Sequence, residues 1–163
     1  MQGTETLIKE MITYYRGDPK RIQHFIKVHS FAKTIGILEK LDSESMCTLE
    51  TAALVHDIGI RLCEEKYGEC NGKLQELEGP ALAREMLERL GYEEKIIDRV
   101  CFLVGHHHTY DKIDKMDYQI LVEADFLVNI YEDCLPKEAI LQAYNKIFLT
   151  KAGKFLCKQM FDL

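Results

Sequence analysis

Thr51-Ala52-Ala53-Leu54-Val55-His56-Asp57-Ile58-Gly59 is the stretch on which the fold turns. Ala52 to Val55 are apolar at successive positions, which predicts the last turns of a helix buried on every side rather than an amphipathic one. That run carries His56 and Asp57 into the interior. An unpaired carboxylate there costs several kcal/mol unless a cation or full hydrogen bonding compensates it. Two readings are open. Imidazole and carboxylate together are usual ligands of zinc, iron and manganese, and a His-Asp pair can equally cap a core helix by hydrogen bonds. Gly59, free to take a left-handed conformation, is expected to end the helix just past them.

Working outward, the 163 residues suffice for one sizeable core, and no linker, repeat or low-complexity tract divides them. A single domain over residues 1–163 is expected. The net charge of -6 comes without a basic block, which argues against a nucleic-acid polymer as partner and leaves room for a small anion. Met1-Gln-Gly-Thr-Glu lacks the charged and apolar regions of a leader. No apolar stretch approaches the ~20 residues of a membrane span, so no membrane partner and a cytoplasmic location are expected. A homo-oligomer is compatible with all of this. The six cysteines are spread without a C-x-x-C pair, which predicts reduced thiols rather than a disulfide framework.

Toward the N-terminus, Thr4 to Arg16 reads as a helix stopped by Gly17. Asp18-Pro19 then reads as the cap and first residue of a helix running towards Lys40. His24, Val28, Phe31, Ala32, Ile35 and Leu38 form one stripe on that helix, so His24 points at the core. His29, about 140° away at ~100° per residue, is expected to be partly exposed. Beyond Gly59, Ile60 to Tyr67 predicts a short helical turn. Tyr67-Gly-Glu-Cys-Asn-Gly-Lys has loop composition, and Glu78-Gly-Pro-Ala looks like the start of the next helix. Glu76 and Glu78 flank that loop, and each is either a base or a solvated acid.

From Glu93, the stripe Ile96, Ile97, Val100, Leu103 and Val104 leads to His106-His107-His108. Periodicity puts His107, His108 or both at the core edge, the alternative being a polar helix terminus where imidazolium suits the dipole. Tyr118 to Glu132 is helical, with Asp125 set among Leu121, Val122 and Val128 on the face that should be buried. Pro136 to Phe148 and Lys151 to Phe161 complete the helices. No alternating run suggests a strand, so the fold class is an all-α bundle.

Arg21-x-x-His24-x-x-x-Val28-x-x-x-Ala32, Ala52-Ala53-Leu54-Val55-His56-Asp57-Ile58-Gly59 and Glu123-Ala124-Asp125-x-Leu127 together resemble the HD-domain superfamily of metal-dependent phosphohydrolases. The resemblance spans roughly residues 20 to 131 and implies a single-domain helical bundle of the HD type. It implies His24, His56, Asp57 and Asp125 as ligands of one divalent transition metal (iron, manganese, nickel, cobalt or zinc), with positions left open for water and substrate. Asp57 would also orient the attacking water. Many relatives carry Lys directly after the His-Asp-x-Gly segment, where this chain has Ile60 and Arg61. Arg61 is therefore a candidate phosphate contact, with surface exposure as the alternative. Relatives with two metals place a histidine where this chain has Gln75, which puts a second ion in doubt. His107 is either the remnant of that site or a catalytic donor to phosphate, and His108 is a further candidate substrate contact.

The function implied is hydrolysis of a phosphate ester of a nucleotide or another small phosphorylated metabolite. Two other functions fit the same resemblance: a non-catalytic metal- or ligand-binding regulatory module, and a di-iron oxygenase-like enzyme, which Gln75 weakens.

Overall fold

The computed structural model describes residues 3–163; Met1 and Gln2 of the opening segment lie outside them. Among the described residues the chain forms helices only: α1 (Thr4–Tyr14), α2 (Pro19–Leu38), α3 (Ser43–Val55), α4 (Ile60–Tyr67), α5 (Gly72–Arg89), α6 (Glu94–Val104), α7 (Met116–Glu132), α8 (Lys137–Lys146) and α9 (Lys151–Phe161). None is long and apolar enough to cross a membrane. The starts follow from local chemistry. The Asp18 carboxylate accepts from Arg21 N at 3.1 Å with Pro19 in the first turn, and Asp42 takes the amides of Glu44 and Ser45.

α2 packs against both α3 and α7, and α3 also packs against α6 and α7. The all-apolar end of α3 therefore lies in the middle of the bundle, with Ala52, Ala53, Leu54 and Val55 fully buried. Burial of each large aliphatic side chain here is worth about 1.5–3 kcal/mol. The long α2, α3 and α7 thus present their inward residues to one common volume.

Several expected features differ. Leu38, placed on the buried stripe of α2, is 56% exposed because it sits in the last turn, beyond the neighbouring helices, while Phe25 joins the core instead. α7 begins at Met116, two residues before Tyr118, and α8 ends at Lys146, leaving Phe148 buried after it. α5 begins at Gly72 rather than at Glu78. Asn71 caps it by accepting from Leu74 N at 3.0 Å, so the expected loop is kept at residues 68–71 but its last two, Gly72 and Lys73, open the helix, and Pro80 lies inside it. Leu77 in the first turns is 67% exposed, which is why no apolar stripe announced them.

Gly59 is also not left-handed; its φ and ψ are -73° and -18°. The requirement for glycine is steric. A Cβ at Gly59 would stand 3.0 Å from the nitrogen and 3.1 Å from the Cα of Gly79, and 3.2 Å from the Gln75 carbonyl oxygen. All three are backbone atoms of α5, so the contact cannot be relieved by a side-chain rotation. Gly59→Ala is expected to destabilise the protein by about 1–3 kcal/mol, the usual cost of overpacking. For a chain of this size that is a drop in Tm of roughly 2–4 °C per kcal/mol in thermal denaturation. An unchanged Tm would show that α5 can retreat from the turn.

Candidate metal centre

His24 projects from the middle of α2, His56 caps α3, Asp57 follows in the turn before α4, and Asp125 projects from α7. Residues 101 positions apart in sequence are thereby brought together. His24 Nε2 stands 3.3 Å from His56 Nε2, 3.3 Å from Asp57 Oδ2 and 3.2 Å from Asp125 Oδ1. His56 Nε2 lies 3.4 Å from Asp57 Oδ2 and 3.5 Å from Asp125 Oδ1. Donor atoms bound about 2.1 Å from one ion, at tetrahedral or octahedral angles, stand about 3.0–3.4 Å apart. His24, His56 and Asp57 fit that spacing as a group, and Asp125 Oδ1 stands at a similar distance from both imidazoles.

The hydrogen positions sharpen the argument. His56 Nδ1 donates to the Ala53 carbonyl at 2.9 Å, and His24 Nδ1 donates to Glu132 Oε2 at 3.0 Å. Each neutral ring then turns a bare lone pair on Nε2 towards the others and towards two carboxylates. Asp125 Oδ1 is buried without a hydrogen-bond partner among the described residues, and while both rings are neutral the nearby Nε2 atoms have no hydrogen to give it. Lone pairs gathered this way repel unless a cation sits among them. The donor set therefore fits a divalent metal, with Glu132 as the outer carboxylate that fixes the His24 ring; Lys27 Nζ holds the other Glu132 oxygen at 2.7 Å.

A proton is the alternative occupant. Burial alone lowers the His56 imidazole, but the charges and hydrogen bonds of Asp57 and Asp125 outweigh it and hold the group well above its ordinary value. His24 is likewise raised, burial being outweighed mainly by the hydrogen bond to Asp125. Asp57 and Asp125 move down despite burial, Asp57 chiefly through His56 and Asp125 through the hydrogen bonds of His24 and His56. The raised imidazoles stabilise the metal-free fold fully below their unfolded value of ~6.5, and that stability is lost as pH rises through their folded values. The depressed carboxylates contribute above ~4 and lose their contribution as pH falls through their lower folded values. Metal must displace the imidazole protons, so its affinity rises about tenfold per pH unit for each proton displaced. Mn²⁺ is accordingly expected to raise Tm more at pH 8.5 than at pH 6, measured by thermal denaturation with and without the ion. A smaller rise at the higher pH would contradict this.

Asp57 faces two ways. Its Oδ2 meets His24 and His56, while its Oδ1 lies 3.4 Å from His107 Nε2. Asp57, His107 and His108 form a second group of potential ligands sharing that carboxylate. His107 is buried, its Nδ1 donates to the Val104 carbonyl at 2.8 Å, and its Nε2 has no hydrogen-bond partner among the described residues. His108 packs its ring on the Gly72 backbone and pairs Nε2 with Gln75 Oε1 at 3.0 Å. Burial, then the neighbouring His107, pushes its imidazole down to about 4, so His108 is neutral rather than a cationic phosphate clamp. Tyr118 places its phenol against the carbonyls of His106 and Thr109 and so braces the histidine turn.

A cavity of about 430 Å³ opens over His24, Asp57 and Asp125, with Arg21, Gln75 and His108 among its walls. Arg61 is not among them. Its guanidinium donates to the Tyr14 carbonyl at 2.6 Å and to Glu65 at 3.3 Å, in a separate recess. Arg21 supplies the nearer guanidinium, held by Asp18 at 2.6 Å and Glu64 at 2.5 Å. His29 bonds Glu50 at 2.9 Å, away from the cluster, and His106 donates to the Phe102 carbonyl. Glu76 accepts from the His108 amide and the Thr109 hydroxyl, and Glu78 pairs with Lys66 and Tyr67, so neither carboxylate is unpartnered. The sequence reading missed Glu132, although it lies two turns beyond Asp125 and so on the same face of α7.

The HD domain family model matches residues 21–143. Among solved structures, a predicted HD superfamily hydrolase from an uncultured Thermotogales bacterium is similar, with a TM-score of 0.68 and 21% identity over 97% of this chain and 84% of that one. At that identity the likeness concerns the fold. A comparison with curated proteins found no match. The matched range includes all four residues that converge in space, and the chain belongs to the HD-domain family.

Proposed function

We propose that the protein is a metal-dependent phosphohydrolase that cleaves a phosphate ester of a nucleotide or another small phosphorylated metabolite. The observation that carries this reading is the convergence of His24, Asp57 and Asp125 at the wall of an open cavity, with the buried His56 directly behind them. A structural metal would be closed off by its ligands, whereas a catalytic one keeps a face open. The cavity volume suits a small phosphorylated molecule, and the net charge of -6 suits it better than a nucleic-acid polymer.

A divalent ion in this site supplies the Lewis acidity that polarises a phosphoryl oxygen and makes water nucleophilic near neutral pH. The chain supplies the rest. Asp57 Oδ1, turned from the ligand cluster towards His107, accepts a hydrogen bond from the attacking water and orients it. His107 bonds Val104 through its Nδ1 hydrogen, so it donates at Nε2 only as imidazolium. In that form it stabilises charge on the phosphoryl group and gives its proton to the departing alkoxide. Arg21, already shared between Asp18 and Glu64, contributes positive potential at the wall.

The test is release of inorganic phosphate from a panel of nucleoside monophosphates, sugar phosphates and other small phosphate esters, with Mn²⁺, Ni²⁺, Co²⁺ or Fe²⁺ added. Turnover of at least one ester is expected. Stoichiometric metal binding with no turnover of any would favour a regulatory metal or ligand-binding module instead.

A further inference from the structure

Helix α1 precedes the residues that the family model matches, yet it reaches the turn that carries Asp57. Tyr15 donates its phenol hydrogen to the Asp57 carbonyl at 2.6 Å, and Tyr14 donates to the Ile58 carbonyl at 3.1 Å. The connection is reciprocal, because Arg61 at the start of α4 donates back to the Tyr14 carbonyl at 2.6 Å. Tyr15 is only 2% exposed, with its ring set edge-on to Tyr14 at 4.9 Å and near Phe25 at 6.4 Å. Each hydroxyl meets a carbonyl oxygen, which can only accept, so both phenols are the donors.

Residues 56–59 lie between two helices and are held locally by short turn bonds, from Ile58 N to the Val55 carbonyl and from Ile60 N to the Asp57 carbonyl. A small rotation of this peptide segment would swing the Asp57 side chain. Its two oxygens serve different neighbours at 3.3 to 3.4 Å, so a swing of a few tenths of an ångström spoils one set of contacts or the other. We propose that α1 is a clamp on the ligand-bearing turn: the hydroxyls of Tyr14 and Tyr15 fix the Asp57 peptide and so aim its carboxylate at the metal centre. The clamp rests on the metal-centre reading. Tyr14 and Tyr15 are positioning residues, acting through Asp57 without touching substrate.

The competing role for α1 is to cover the core with Leu7 and Met11, both buried. Removing a hydroxyl and removing core volume separate the two. The full chain and its variants Tyr15→Phe, Tyr14→Phe and Met11→Ala would be titrated with Mn²⁺ alone by calorimetry, at a temperature where circular dichroism shows each to be folded. Tyr15→Phe keeps the buried ring and loses the donor, and it is expected to weaken Mn²⁺ binding about 10-fold or more, as outer partners of metal ligands commonly do. Tyr14→Phe, at the longer bond, is expected to act in the same direction with a smaller effect, and it gives the same reading if Tyr15→Phe does not fold. Met11→Ala is expected to lower Tm while leaving the affinity within about 3-fold.

Hydrogen exchange of the metal-free protein supplies a second readout, with the amides of residues 56–60 expected to exchange faster in Tyr15→Phe than in Met11→Ala. Equal Mn²⁺ affinity in the wild type and in both tyrosine variants would overturn the clamp and leave the metal centre standing. Equal weakening by Met11→Ala and Tyr15→Phe would also overturn it, by showing that α1 acts through general stability. A wild-type chain that binds no Mn²⁺, Ni²⁺, Co²⁺ or Fe²⁺ would overturn the metal-centre reading itself.

Discussion

Asp125→Ala is expected to leave the purified protein without stoichiometric metal, and His24→Ala and Asp57→Ala to do the same, while His29→Ala retains a full equivalent. The contrast between the two histidines follows from where α2 points them. His24 is buried, with Nε2 3.2 Å from Asp125 Oδ1 and 3.3 Å from Asp57 Oδ2. His29 turns its Nε2 to Glu50 at 2.9 Å, on a carboxylate that Lys33 also approaches at 3.1 Å. Loss of a direct ligand should exceed the 10- to 100-fold effect typical of an outer-shell partner, so affinity is expected to fall by more than ~10². Metal analysis by mass spectrometry after gel filtration reads the result. Stability should fall as well, since the remaining carboxylate stays buried among lone pairs with no cation to compensate it. Equal loss of metal from His24→Ala and His29→Ala would refute this choice of ligand.

The helices that carry the centre were legible because each sets one polar residue into an otherwise apolar stripe. Asp125 between Leu121 and Val128 is the clearest case, and α7 buries it as that spacing requires. Periodicity reports one helix at a time, however, and everything that depends on a second element lay outside it. Gly59 was recognisable as a necessary glycine, but its reason is the backbone of Gly79 and Gln75 on α5 rather than a left-handed turn. The first turns of α5 carried no stripe, with Leu77 facing solvent, so Asn71 and Gly72 read as loop instead of cap and first turn. Arg61 had the right chemistry for phosphate, and only the position of α1 shows that its guanidinium is taken by the Tyr14 carbonyl. Glu132 supports His24 across 108 residues of chain, a pairing that no local pattern records.

One tightly held metal equivalent is expected in the native protein, with His107→Ala retaining it and losing about 10²-fold in turnover. The first group of ligands joins the imidazoles of His24 and His56 to the Asp57 carboxylate, with Asp125 Oδ1 beside both imidazoles. The second can draw only on the Asp57 oxygen left over, together with His107 and His108. His108 is engaged with the Gln75 amide, itself a much weaker ligand for a first-row divalent ion than an imidazole. A second ion therefore meets less negative charge and fewer strong donors, and it should bind more loosely than the first. In the proposed mechanism His107 serves substrate instead, its buried Nε2, which faces Asp57, donating to the phosphoryl oxygen or the leaving group, and removal of one such donor commonly costs ~10² in kcat. Its Nδ1 is committed to the Val104 carbonyl, so Nε2 is the ring atom that faces Asp57. Steady-state kinetics on an active ester, with metal analysis of the same preparations, separates the two roles. Two tightly held ions in the wild type, with one lost in His107→Ala, would make His107 a ligand and the centre binuclear.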